Sequence, residues 1–138
     1  MPTRSTRKPP LKSSNYSPVG WYVATLLERF EFEFDGKPTQ EDRVKVWANT
    51  VLIQARSPDE AHAKAVEQGR MGSHRYKNLN GEQVRVIFEG LSSLIPVYDE
   101  LAHGSELFWR PHSVKLKTLR TWAKKKNELE AFEREGDA

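Results

Sequence analysis

The side chains here that could do more than fold are histidines, carboxylates and lysines, and their spacing limits the chemistry open to them. The four histidines, His62, His74, His103 and His112, stand 12, 29 and 9 residues apart. None of these gaps is the i, i+2 or i, i+4 interval that brings two imidazoles to one metal. Glu31 and Glu33 alternate with Phe30, Phe32 and Phe34, which reads as the solvated face of a strand rather than a paired acid and base. The chain has no Gly-rich phosphate loop, no G-x-S-x-G elbow, no H-E-x-x-H and no Asp-rich calcium loop. It has no cysteine either, which removes disulfides, thiolate zinc sites, iron–sulfur clusters and cysteine nucleophiles. The expectation is a non-enzymatic protein with no cofactor and no catalytic or metal-binding residue. The exception would be a small site assembled in space from Glu and His across a sheet.

Basic residues carry the best alternative. Arg4, Arg7, Lys8 and Lys12 give residues 1–12 a charge of +4, and Lys115, Lys117, Arg120, Lys124, Lys125 and Lys126 give residues 115–126 a charge of +6. Between them the body carries −3, and the last twelve residues −4. The sequence pI of 9.2 therefore describes the two ends of the chain. With Trp122 interleaved among six bases, KLKTLRTWAKKK could lie along phosphates, and the N-terminal arm could add contacts. The plainer reading is a charge-segregated helix whose basic half faces an acidic surface. Adsorption to an anionic membrane is disfavoured by the five acids that follow.

Two polar residues stand in apolar strand context. Asn49 lies in WANTVLI, where a bulge with its side chain on local backbone groups is expected, and Glu106 precedes LFW at an edge open to water. Trp21, Trp47 and Trp109 read as core or rim, although aromatic residues on an open sheet face are also what single-strand binders use.

These residues must be positioned by few elements. Residues 1–15 combine Pro2, Pro9 and Pro10 with Ser, Thr and four bases, the composition of a disordered arm. Gly20 to Phe34 reads as a first strand with a bulge near Glu28, and Val44 to Arg56 as its return strand with a bulge near Ala48 to Thr50. Ser57-Pro58-Asp59-Glu60 opens a helix, with Ser at the N-cap, Pro at the first helical position and acids in the first turn. Ala61 and Ala65 lie one turn apart, and Gly69 is the expected left-handed stop. Asn80-Gly81 marks a turn into a third strand through Val84, Val86 and Phe88. LIPVYD is a candidate short strand, His103-Gly104 a turn, and Ser105 to Arg110 the expected last strand. Leu119, Trp122, Ala123, Leu129 and Phe132 sit near helical spacing and predict an amphipathic helix within residues 114–135.

At 138 residues one domain is expected, and a mean hydropathy of −0.73 with 30% charged residues requires part of the chain to be solvated. The division expected is a basic arm over 1–15, one α+β domain over 16–113 and a charged helical extension over 114–138. No run approaches the apolar length of a membrane span, and the basic N-terminus leads into no apolar signal segment, so the expected compartment is the cytoplasm.

GWYVATLLERFEFE, WANTVLIQARSPDEAHAKAVEQG and NLNGEQVRVIFEGLSSLIPVYDELAHGSELFW resemble, over about residues 17–112, a bacterial family of small proteins known only as a domain of unknown function. The resemblance implies a compact α+β domain and carries no activity, partner or site residue with it.

The combined expectation is an α+β fold: an antiparallel sheet of four to five strands, one helix packed on it after the first hairpin, and a C-terminal amphipathic helix. The function expected is a protein-binding or accessory module for a protein partner, with self-association through the C-terminal helix as one route and no membrane contact. Nucleic-acid binding through the two basic ends is the alternative.

Overall fold

The structure is a computed structural model and describes residues 15–133. The arm that carries Arg4, Arg7, Lys8 and Lys12 lies outside the described residues. Four strands form one antiparallel sheet: β1 Trp21–Phe32, β2 Lys45–Gln54, β3 His74–Lys77 and β4 Gln83–Pro96. Their order in space is β2-β1-β4-β3, so the two long strands β1 and β4 are central and β2 and β3 are the edges. The helix α1, Pro58–Met71, connects β2 to β3 and packs on one face of the sheet. The α+β class, an antiparallel sheet of four strands and the helix after the first hairpin agree with the sequence reading, whereas β3 is a strand that reading does not contain.

Helix α1 begins where its sequence says it should. Ser57 is extended and its hydroxyl accepts the Glu60 N–H at 3.1 Å, Pro58 fills the first helical position, and Asp59 and Glu60 complement the positive end of the helix. Ala61, Ala65 and Gly69 recur every fourth residue and are all buried. This stripe of small residues lets the helix axis approach Tyr22, Ala24 and Leu26 of β1, Ile53 of β2 and the adjoining Ala55, which together make the core. Gly69 corrects the expected stop. The helix runs through it to Met71, and its role is to make room, because a Cβ there would fall 2.3 Å from Phe88 Cε1.

The bulge expected in β2 is absent, whereas the one expected near Glu28 coincides with an irregularity against β4. The β1–β2 register is unbroken from Trp21 opposite Gln54 to Phe30 opposite Lys45, so β2 has no bulge at Ala48 to Thr50. The irregularities lie between β1 and β4, at Thr25/Leu26 and Leu27/Glu28, where β4 carries Ser92 and Glu89 as extra residues. Gly90, with φ +146°, supplies the backbone conformation this bend requires. Accommodated this way, LIPVYD is no separate strand: Leu94 to Pro96 complete β4.

Three further expectations change. Glu33–Asp35 form a 3-10 turn, so Phe34 leaves the strand and is 70% exposed. Ser105 to Arg110 is not a strand: Glu106 N–H donates to Asp99 Oδ2 at 3.1 Å, and Ser105 Oγ ties down the preceding turn by accepting from Ala102 N–H at 2.8 Å and donating to the Glu100 carbonyl. The expected long C-terminal helix is one short helix, α2 Leu116–Trp122, followed by 3-10 turns at Lys126–Glu128 and Glu130–Phe132. Its N-cap Lys115 makes no side-chain cap, its first turn has no acid, and it buries no residue. Without capping or tertiary packing, the cost of nucleation is not offset over a longer stretch.

Candidate functional site

Edge strand β2 is built unlike most edges. Natural edges are blunted by charges, proline or bulges, since a row of unpaired backbone groups templates another strand. From Val46 to Ile53 this strand has no charged residue, no proline and no break in register. Ala55 N–H donates to the Gly20 carbonyl at 3.0 Å, and these two residues continue the β1–β2 register by one step. Directly bonded pairs alternate with unbonded ones in an antiparallel ladder. Trp47, Asn49, Val51 and Ile53 therefore turn N–H and C=O toward β1, while Val46, Ala48, Thr50 and Leu52 turn theirs outward. At one end Lys64 Nζ donates to the Gln54 carbonyl at 2.8 Å and closes the open edge there. Val46 and Leu52, at 47% and 45% exposure, flank the free stretch.

On the helix-covered face, beyond the end of α1, a polar pair and an aromatic pair lie side by side. Asn49 Nδ2 donates to Glu28 Oε1 at 2.6 Å, a cross-strand bond that replaces the expected bulge geometry. Phe30 meets Trp47 edge-on at 5.2 Å, and the Lys45 ammonium stands 5.6 Å and 5.9 Å from the two ring centres. Trp47 is 54% exposed, which makes it a rim residue of an open face. Next to it a cleft of about 410 Å³ opens toward the β1–β2 connection, with Phe30, Phe32 and Pro38 beside Asp35, Asp42 and Lys45.

The opposite face is tied by charge. Arg29 donates from Nε to Glu89 and from Nη1 to Glu31, both at 2.7 Å, and Arg85 stands 3.6 Å from the other Glu31 oxygen. The Arg29 hydrogen bond holds the Glu31 carboxyl below its ordinary range, and the bonds to Glu31 and Glu89 raise the guanidinium further. Glu31 is thus the centre of a structural ion-pair ladder.

The basic C-terminal residues are not aligned along one helix. Lys117, Arg120 and Trp122 lie on α2, with Lys115 at its N-cap, whereas Lys124, Lys125 and Lys126 follow its end at Ala123. Lys124 pairs with Glu130 at 3.3 Å and Lys126 stands 5.2 Å over the Phe132 ring, so Glu130 and Phe132 engage two of the bases. Glu130 is held below the ordinary carboxylate range first by a backbone hydrogen bond and then by Lys124. Trp122 meets the His112 ring edge-on at 5.2 Å. The other imidazoles are scattered: His62 is exposed on α1, His74 Nδ1 lies 2.6 Å from the Gly72 carbonyl, and His103 occupies the turn before Gly104. Among the described residues no group of three or more His, Asp or Glu could hold a metal ion, and no helix is long and apolar enough to cross a membrane.

A family model matches residues 21–109, the span from the first residue of β1 to Trp109. The chain belongs to DUF4288, a domain of unknown function. No curated protein matches the chain, and no solved structure does. The DUF4288 region contains the whole sheet, α1 and the β2 edge, and leaves out the basic arm and α2. The sequence reading places the DUF4288 strand β2 but does not single out its edge as a candidate site. The available signal was the run VWANTVLIQA between Lys45 and Arg56, which has no charge.

Proposed function

We propose that this protein is a non-enzymatic protein-binding module whose β2 edge takes up a strand from a protein partner. The observation that carries the reading is the open, uncharged ladder from Val46 to Leu52, seven residues paired on one side to the core strand β1 and, among the described residues, with no strand on the other side. Strand addition draws affinity from main-chain hydrogen bonds and selectivity from alternate side chains. Here the outward groups of Val46, Ala48, Thr50 and Leu52 supply the bonds, and Trp47 on one face with Leu52 on the other supplies apolar contact. Nucleic-acid binding is less well supported, because Lys124 and Lys126 are engaged by the chain's own Glu130 and Phe132.

The test is affinity capture on the full chain from a lysate of the organism that encodes it, with and without nuclease, beside the variant Thr50→Pro. That substitution removes an outward N–H and leaves the ladder to β1 intact. The expected result is a defined protein that survives nuclease and is lost with Thr50→Pro. Material that disappears with nuclease, or that Thr50→Pro retains, overturns the reading.

A further inference from the structure

We infer that the strand received by β2 is β2 of a second copy, paired antiparallel about a two-fold axis through Asn49. This deepens the docking reading above and rests on it. The open edge has fixed limits. Lys64 occupies the Gln54 carbonyl at one end, and the strand begins at Lys45 at the other, so the free outward groups run from Val46 to Leu52. The midpoint of that stretch is Asn49. A two-fold axis there sets Val46 opposite Leu52 of the other copy and Ala48 opposite Thr50, so that every outward N–H and C=O between them finds a partner.

The side chains suit the same register. Val46 and Leu52, the large exposed apolar residues of that face of β2, cover one another. On the other face Trp47 lies opposite Val51, and Asn49 opposite itself. Registers shifted by one step to either side bring Leu52 against Val44 beyond the strand, or Val46 against the blocked Gln54. Charge makes the same choice. The stretch from Val46 to Ile53 contains no ionisable side chain, so two copies meet without repulsion, and the edge offers no counter-charge to select a charged foreign strand. The product is one sheet continuous through both chains, with each α1 on its own half.

The experiment uses the full chain and two readouts. The first is mass by light scattering over a concentration series for wild type and Thr50→Pro, with thermal melts at low concentration alongside. The second is disulfide trapping. Position 49 on the axis places its two Cα atoms about 4.5 Å apart, within reach of a disulfide. The chain has no cysteine, so Asn49→Cys reports only on itself. Because Asn49 also holds Glu28, a mixture of Ala48→Cys and Thr50→Cys, both exposed, provides the same test without that bond.

The expected result is a wild-type dimer, a dissociation constant raised by about tenfold or more in Thr50→Pro at an unchanged low-concentration melt, and covalent dimers from Asn49→Cys and from the mixture. A monomer at every concentration, or a dimer that Thr50→Pro leaves intact and the cysteines fail to trap, overturns the second copy as occupant. The docking reading falls separately, through capture that is indifferent to Thr50→Pro.

Discussion

Gly69 lies against the ring of Phe88 so closely that a Cβ at position 69 would come within 2.3 Å of Cε1 and 2.4 Å of Cδ1. This contact joins the last turn of α1 to the bent part of β4 and fixes the height of the helix above the sheet. Gly69→Ala is expected to lower stability by about 1–3 kcal/mol, the usual range for overpacking a filled core. Gly72 provides the control. Its φ is −78°, and a Cβ there would meet nothing nearer than the Gly69 carbonyl at 3.4 Å. Gly72→Ala should therefore be neutral or add about 0.4–1 kcal/mol by restricting the unfolded chain. Paired urea titrations of the two variants check both signs.

Ser57→Ala removes the side-chain acceptor for the Glu60 N–H and should cost about 1 kcal/mol. Ser57→Asp, which restores an acceptor and adds a negative charge at the helix start, should recover it. Thermal melts of the two variants against wild type make the comparison.

Tyr22 is 1% exposed, and its hydroxyl accepts the Ser17 N–H at 3.0 Å. Ser17 in turn receives the Val19 and Trp21 N–H groups on its Oγ and donates to the Val97 carbonyl. Tyr22→Phe leaves the packing but orphans that donor, for an expected loss of about 1–3 kcal/mol. Faster amide exchange at Ser17, with β1 unchanged, distinguishes this local cause from a general weakening.

Glu31 gives the fold an acid-sensitive component. Its folded pKa is depressed, chiefly by the Arg29 hydrogen bond, so on acidification the unfolded chain takes up the proton first. The stability from this ladder is fully present above the ordinary carboxylate value of about 4.3 and is lost as pH falls through the lowered one. Melting temperatures measured from pH 6 down to pH 3 should fall less steeply for Glu31→Gln than for wild type. Equal slopes would mean that Arg29 contributes nothing through Glu31.

Much of the fold was legible because local rules and tertiary packing agreed. The Ser57-Pro58 helix start, the Asn80-Gly81 turn and the alternation of Val84, Val86 and Phe88 all appear where the residues predict them. Asn78 strengthens that turn by accepting the Asn80 and Glu82 N–H groups on Oδ1. Reading failed where period 2 was interrupted. In β4 the inward residues run Phe88, Leu91, Leu94, and two extra residues disguise one strand as two. The bulge expected in β2 rests on Val44 and Val46, whose apolar side chains lie on the exposed face and share no phase with the core. At the C-terminus the apolar spacing was real, but Leu119, Trp122, Leu129 and Phe132 all remain substantially exposed. Among the described residues nothing packs on that apolar stripe to favour a longer helix. The β2 edge was visible only as an absence of charge, and it acquires meaning once the strand order makes that strand an outer one.

The paired irregularities in β4 also bear on how this domain can change in length. Removing one residue from a strand ordinarily turns every later side chain to the wrong face. Glu89 and Ser92 stand opposite no residue of β1, so loss of either would straighten the ladder and leave Leu91, Leu94 and Pro96 with the neighbours they have now. Glu89 would take one ion pair of Arg29 with it, and Ser92 is exposed. Related sequences shorter by a residue at these points can keep the same sheet, so an alignment gap inside this strand is compatible with an unchanged core.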